Sequence, residues 1–329
     1  MKKIILKYFI LFINQSSILV GGQAVIEGVL MRVPGAYATA VRDPQNNIII
    51  DRHDFKSVLE KYNLKHIIIL RGVIGLFESL KIGFKTLQWS ADIAEQEEEN
   101  QTNPIIETLL TILSIMFVIT LFFIGPLSIT RIIIEENSNP FGFNIIAGLI
   151  RITFFLIYLI AISRMKDVYT LFQYHGAEHK TVYNFESGKK LAIQTAQSFP
   201  TQHPRCGTSF VFIIMIIGIL TFTVIDSMFL AYFLTMDLII NPLVTRVITH
   251  ILLMPLVAGF GYEVLKITAK YKDNIIFKLL AAPGLWLQNI TTKQPDDSQL
   301  EVAIAALKSA FGDSIASYEG KKHIAEAIE

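Results

Sequence analysis

The stretch LLTILSIMFVITLFFIGPLSITRIII, Leu109 to Ile134, decides the fold class: it is apolar from end to end, with Arg131 as its one charge. A helix of that length exceeds the roughly 30 Å of a bilayer's hydrocarbon core. Three further stretches repeat the pattern, Phe143 to Ser163, Thr208 to Leu234 and Leu243 to Leu265. The composition agrees, being 52% hydrophobic and 17% charged with a mean hydropathy of +0.48, too apolar for a soluble domain of this length. The predicted fold class is a predominantly α membrane protein. Its four transmembrane helices carry a small cytosolic β unit and cytosolic amphipathic helices. Gly125-Pro126 predicts a kink in the first span.

The polar segments between the spans set an expected orientation. The one from Arg164 to Gly207 carries Arg164, Lys166, Lys180, Lys189, Lys190 and Arg205, whereas the hairpins Glu135 to Gly142 and Thr235 to Pro242 carry no Lys or Arg. The positive-inside rule puts the basic segment in the cytosol, and four crossings then put both termini there too. Arg131 and Arg246 at the outer ends weaken the bias without reversing it. The start, Met1 to Val20, resembles a secretory signal, but Lys7 and Asn14-Gln15 interrupt its apolar run and no A-x-A-like site follows. A net charge of +1 with no basic patch gives no sign of nucleic acid as a partner. The lone cysteine, Cys206, excludes an intramolecular disulfide and fits a reducing compartment.

Outside the spans, residues 1–104 read as an N-terminal extension, a β unit and a juxtamembrane helix. Residues 105–265 form the membrane domain, with its loop at 164–207, and 266–329 a helical tail. Strands are expected at Ala24 to Arg32, Tyr37 to Arg42 and Asn47 to Asp51, the last two joined around Asp43-Pro44. Phe77, Leu80, Phe84 and Leu87 have helical spacing and predict a helix against the bundle or the membrane surface, closed by the acidic run Glu95 to Glu99. Near the C-terminus, Ser298 and Glu301 have capping-box spacing ahead of Leu300, Ala303, Ile304, Leu307 and Phe311, with Gly312 as the stop. Trp286, within Pro283-Gly284-Leu285-Trp286-Leu287, stands where interfacial aromatics sit.

The residues that carry chemistry are His175-Gly176-Ala177-Glu178-His179. Two imidazoles four apart share a helix face and can reach one Zn²⁺, and a carboxylate beside the second is the inverted zinc-protease order. Glu178 is then the candidate general base, while Gly176 lowers helix propensity and argues for caution. His203 and Cys206, just before the third span, and Glu263, near the end of the fourth, are candidates for a third ligand. Each has a plainer reading. The two histidines can be exposed loop residues, Pro204 and Gly207 suggest a tight turn around a small buried Cys206, and Glu263 can pair with Lys266 or Arg164.

Arg151, Asp226 and His250 fall inside the apolar spans, where a charge costs about 2.5 to 3.5 kcal/mol at the helix centre and so calls for a partner or a function. The segment Gly21-Gly22-Gln23-Ala24-Val25-Ile26-Glu27-Gly28 matches no nucleotide-binding fingerprint. Glu27 is either a water-exposed turn carboxylate or a neighbour of the metal mouth.

Four blocks, GGQAVIEGVLMR (21–32), HGAEHK (175–180), HPRCGTSF (203–210) and PGLWLQNITTKQP (283–295) followed by QLEVAIAAL (299–307), together resemble the YqhQ-like family of bacterial membrane proteins. The resemblance runs from about Gly21 to Phe311 and leaves the first twenty residues without a counterpart. It implies a metal-dependent enzyme of unspecified reaction in the bacterial inner membrane, with metal at His175, Glu178, His179, His203 and Cys206. The leading expectation is a zinc-dependent hydrolase, peptidase or amidase in class, at the cytosolic membrane face. The alternative is a non-catalytic assembly or scaffold factor, its metal closed off by His175, His179, His203 and Cys206. A third reading, ion transport, requires Arg151, Asp226 and His250 to converge.

Overall fold

The computed structural model describes residues 20–94, 104–134, 139–204, 206–233, 242–270 and 274–323. The N-terminal stretch 1–19, the acidic run Glu95 to Glu99, Arg205 and most of the two hairpins lie outside them. Four strands, β1 (Gly21–Val25), β2 (Gly28–Val33), β3 (Ala36–Arg42) and β4 (Ile48–Asp54), form an antiparallel sheet in that order. Helix α1 (Leu70–Ala94) follows, and then α2 (Pro104–Ile119) runs through a π turn at Thr120–Ile124 into α3 (Gly125–Ile133). The chain continues with α4 (Pro140–Ile162), α5 (Lys166–Glu186), the short α6 (Ile193–Gln197), α7 (Gly207–Phe233), α8 (Pro242–Lys270), α9 (Ile275–Thr291) and α10 (Asp297–Phe311).

Among the described residues, four segments are long and apolar enough to cross a membrane: Thr108–Ile133, Phe141–Ile162, Gly207–Asp226 and Val247–Thr268. They overlap the four stretches read from the sequence, the third ending sooner, at Asp226, and the fourth running from Val247 to Thr268, and the chain is a membrane protein. The irregularity expected at Gly125-Pro126 appears just ahead of it as the π turn. Proline has no N–H for the carbonyl four residues back, and its ring crowds that carbonyl.

The sheet separates two helical layers because side chains alternate between its faces. Val25, Leu30, Tyr37 and Val41 pack against Ile82, Leu87 and Trp89 of α1. The opposite face, Val29, Met31, Ala38 and Ala40, packs on Tyr174 and Ala177 of α5 and on Leu300, Ala303 and Leu307 of α10. The alanines of β3 let α10 lie close, and its apolar residues are almost wholly buried there.

Two local expectations are corrected. The run Ala24 to Arg32 is not one strand but a hairpin, β1 and β2, closed between Val25 and Gly28 by Ile26-Glu27. Glu27 takes a left-handed backbone, φ 48°, and the following Gly28 sits where a Cβ would strike the carbonyl of Ala40. The capping box of α10 is Asp296 with Gln299, not Ser298 with Glu301. Asp296 accepts from the Gln299 N–H at 2.8 Å, and Gln299 Oε1 accepts from the Asp296 N–H at 3.0 Å. Gly312 ends the helix with φ 55°, as read.

Candidate metal centre

The HGAEH motif lies on α5, so His175 and His179 emerge one turn apart on the same face. Their rings are 4.5 Å apart between centroids. Gly176 does not weaken this helix without reason: a Cβ there would stand 2.0 Å from the carbonyl oxygen of Lys293. The missing side chain admits the strand-like exit from α9, and Lys293 N–H donates to the Phe172 carbonyl at 2.8 Å.

That close approach orients the first imidazole. His175 Nδ1 is 2.8 Å from the Thr291 carbonyl oxygen, which can only accept, so Nδ1 carries the proton and Nε2 is bare in the neutral ring. Nε2 faces Cys206 Sγ at 3.1 Å. His179 is held the same way, with its Nδ1 donating to the Thr201 carbonyl, which turns its Nε2 toward Glu178 Oε2 at 3.4 Å. Donor atoms of His175, His179 and Cys206 all lie within 4.8 Å of one another.

This is the arrangement a metal ion needs from its ligands. Each ring has its second nitrogen tied to a backbone carbonyl, which fixes tautomer and orientation, and two imidazoles with a thiol are a zinc-type donor set. Burial pushes the His175 imidazole below its ordinary value, against the opposing pull of Glu178 and the Thr291 carbonyl. It therefore stays in the neutral form that binds metal. His179, Glu178 and Cys206 are each no more than 5% exposed.

Three elements converge to build this. Cys206 stands at the N-terminal end of α7, where its sulfur accepts from the Thr208 N–H at 3.4 Å and lies 3.2 Å from Thr208 Oγ1. A turn closed by Cys206 N–H to the His203 carbonyl, 3.2 Å, presents it. Gln288 of α9 fixes that turn at both ends of one residue, accepting from His203 N–H at 2.7 Å and donating to the His203 carbonyl at 2.9 Å.

The remaining candidates fall elsewhere. His203 is buried against Tyr183, 4.5 Å between ring centroids, and its Nε2 is 3.9 Å from Glu186 Oε2. Its ring is tilted against that of His179, 5.5 Å between centroids, but it is not in the three-donor group. Glu263 is bound bidentately by Arg71, at 2.7 Å to Nε and 2.5 Å to Nη2, and lies outside the group that His175 and His179 form with Cys206. Neither Lys266 nor Arg164 is the hydrogen-bonding partner. Glu27 accepts from Tyr174 Oη at 3.3 Å, one residue before His175. Burial and that carboxylate push the Tyr174 phenol well above its ordinary value.

Several contributors carried no sequence signal. Gly22 of β1 forms a wall against Glu178, since a Cβ there would lie 2.8 Å from Glu178 Cγ. The glycine-rich segment that matched no nucleotide motif is thus part of this site's packing. Lys180, 2% exposed, donates to the carbonyls of Gln197 at 2.8 Å and Phe199 at 2.7 Å and holds the loop that carries Thr201. Within the spans, Asp226 and His250 do meet, His250 Nε2 lying 3.1 Å from Asp226 Oδ2 with both buried.

A membrane-embedded helical bundle bearing a small sheet, with a His/His/Cys cluster at their junction, is the class of protein defined here. The family described as "Protein of unknown function (DUF1385)" matches residues 67–313. A protein of Bacillus subtilis (strain 168), named "Uncharacterized protein YqhQ", is 31% identical over 323 residues, covering 92% of this chain and 95% of that protein. No solved structure matches the chain. The chain belongs to this YqhQ-like, DUF1385 family.

Proposed function

We propose that the protein is a zinc-dependent hydrolase of the peptidase or amidase class, working at the cytosolic surface of the bacterial inner membrane. The observation that carries the reading is the group of three donors, His175, His179 and Cys206, with Glu178 against it. Catalytic zinc sites have three protein ligands and one open position, whereas structural sites are closed by four. A bound zinc ion supplies Lewis acidity toward a substrate carbonyl and a water. Glu178, 3.4 Å from His179 Nε2 and packed against Gly22, is the residue placed to take a proton from the attacking water and return it to the leaving amine. Cys206 immediately precedes the span that begins at Gly207, which supports a site level with the membrane surface. The cytosolic assignment rests on the six Lys and Arg between Arg164 and Gly207.

Elemental mass spectrometry of the detergent-purified protein tests the metal, and a Glu178→Gln variant tests the chemistry. About one zinc per chain, lost in His175→Ala/His179→Ala, is expected, with Glu178→Gln keeping the zinc and losing hydrolysis. No zinc in the wild type, or full activity in Glu178→Gln, would reject the reading. One observation favours the scaffold alternative: two of the three donors, His179 and Cys206, are buried where α5, α7 and the 197–206 loop meet, as in a structural clamp, with His175 partly exposed. X-ray absorption separates the two. Four protein ligands, His203 included, mean a clamp; three plus a light oxygen scatterer mean a catalytic site.

A further inference from the structure

A fifth segment lies alongside the spans without being long or apolar enough to count as one. Residues 66–77, HIIILRGVIGLF, include the start of α1. Their contacts are with the middle of α8. A Cβ on Gly72 would lie 2.8 Å from Tyr262 Cβ and 3.0 Å from the Gly259 carbonyl oxygen, and one on Gly259 would lie 2.8 Å from Ile69 Cγ2. Two glycines face to face bring the backbones of α1 and α8 together, as small residues do between membrane helices.

The depth of that contact follows from the α8 span. Gly259 is nine residues before Thr268, where the span Val247–Thr268 ends, or about 14 Å along the helix axis. In a hydrocarbon layer roughly 30 Å thick this is near the midplane. The Thr268 end is also the Cys206 end, because α7 leaves from Gly207 and α8 returns after the hairpin.

Three features suit a tip buried in lipid. Ile69 has φ 70°, a conformation a β-branched residue avoids, and it reverses the chain just before α1 begins. Arg71 of this segment and Glu263 of α8 pair bidentately, which is how a charge persists at such a depth. The outward side chains are chiefly apolar, Ile68 being 65% exposed and Phe77 57%, with Ile67, Leu70 and Leu80 also exposed, and the polar ones are His66 at the start of the segment and Ser79. Further along α1, the exposed side becomes mixed at Lys81, Phe84 and Lys85. Phe84 is twelve residues from Gly72, about 18 Å along the axis, which brings it up to the headgroup level where aromatic and basic residues anchor.

We propose that residues 66–77 form a re-entrant segment that dips into the bilayer from the Cys206 side, turns at Ile69 and climbs out along α1 without crossing. The occupant of its exposed face is lipid acyl chain, because that face continues the surface of α8. The sheet layer, which α1 carries on Ile82 and Trp89, is thereby anchored to the membrane through α1 as well as through the spans.

The test uses the wild-type chain in phosphatidylcholine/phosphatidylglycerol vesicles containing a lipid with a diazirine at the end of its acyl chain. After photolysis, peptide mass spectrometry should find adducts on 66–80 as densely as on the Gly207–Asp226 and Val247–Thr268 spans. Adducts on the spans alone, with 66–80 no more labelled than the α10 surface, would overturn the proposal. So would cross-links from this segment to a second copy in place of lipid. Depth is read separately from an environment-sensitive dye on Cys introduced at Ile68 or at Phe84 in a Cys206→Ser background. Mid-chain doxyl lipids should quench the Ile68 label and headgroup-level quenchers the Phe84 label. Quenching of the Ile68 label by aqueous iodide would contradict the insertion.

Discussion

Arg151 of α4 donates its Nε–H to the carbonyl oxygen of Phe122 at 2.8 Å. Phe122 is the residue four before Pro126, so its carbonyl is the one that proline cannot serve. The guanidinium also lies over the Phe123 ring at 5.4 Å. An arginine that looks out of place in an apolar span is therefore occupied by the backbone defect that a proline makes in the neighbouring helix. Arg151→Met should destabilise the protein by about 1–3 kcal/mol, the cost of a buried acceptor left without its donor. The loss should shrink in a Pro126→Ala background, where an N–H is restored. A double-mutant cycle of thermal melts in detergent measures the coupling, and additive losses would break the link between the two residues.

Gly176→Ala should be harmful although alanine is the better helix former by about 1 kcal/mol. The added Cβ would meet the Lys293 carbonyl oxygen at 2.0 Å and force apart α5 and the end of α9, which carries Thr291. Zinc retention after dialysis against a weak chelator should fall together with the melting temperature. A variant more stable than wild type would show that the contact relaxes freely.

Cys206→Ser and Glu263→Gln separate ligation from packing. The first should lose most of the bound zinc with little change in fold, because the sulfur is a donor in the His175/His179 group. The second should keep the zinc and lose about 3 kcal/mol of stability, since it leaves Arg71 without its bidentate carboxylate in a poorly solvated place. Zinc lost equally in both would make Glu263 part of the site.

Acidification should loosen the metal centre. The folded-state pKa of His175 is depressed below the ordinary 6.5, chiefly by burial. As pH falls below that value the unfolded chain takes up a proton before the folded one does, so the stability attached to this ring is lost on the acid side. Above it both states are neutral and the ring contributes no pH dependence. Melting temperatures of the metal-free protein should fall between pH 7 and the acid side of 6.5 more in the wild type than in His175→Gln. Parallel curves would remove His175 as the cause.

The spans and the HGAEH pair were readable in the sequence for one reason: each depends on residues close together in the chain. Hydropathy over twenty residues needs no partner, and i, i+4 spacing puts His175 and His179 on one face whatever surrounds the helix. The hairpin at Ile26-Glu27 was not readable, because its turn uses a left-handed glutamate rather than Asn-Gly or Asp-Gly. The capping box was misplaced by two residues because Asp296/Gln299 and Ser298/Glu301 both fit the spacing. The choice follows from where the chain enters, with Gln197 Nε2 donating to the Pro295 carbonyl at 3.0 Å and to Asp297 at 3.2 Å.

By itself the sequence determined that this chain is a membrane protein with four apolar helices and a histidine pair able to share an ion, since composition and periodicity are local properties of the chain. Only the tertiary structure brought Cys206 to the histidine pair and tied Glu263 to Arg71, joined Gly176 to Lys293 and Gly22 to Glu178, and paired Asp226 with His250. Those choices depend on which backbones approach closely enough to touch, and contacts between residues 31 or 116 positions apart, as His175 makes with Cys206 and Thr291, leave no periodic trace.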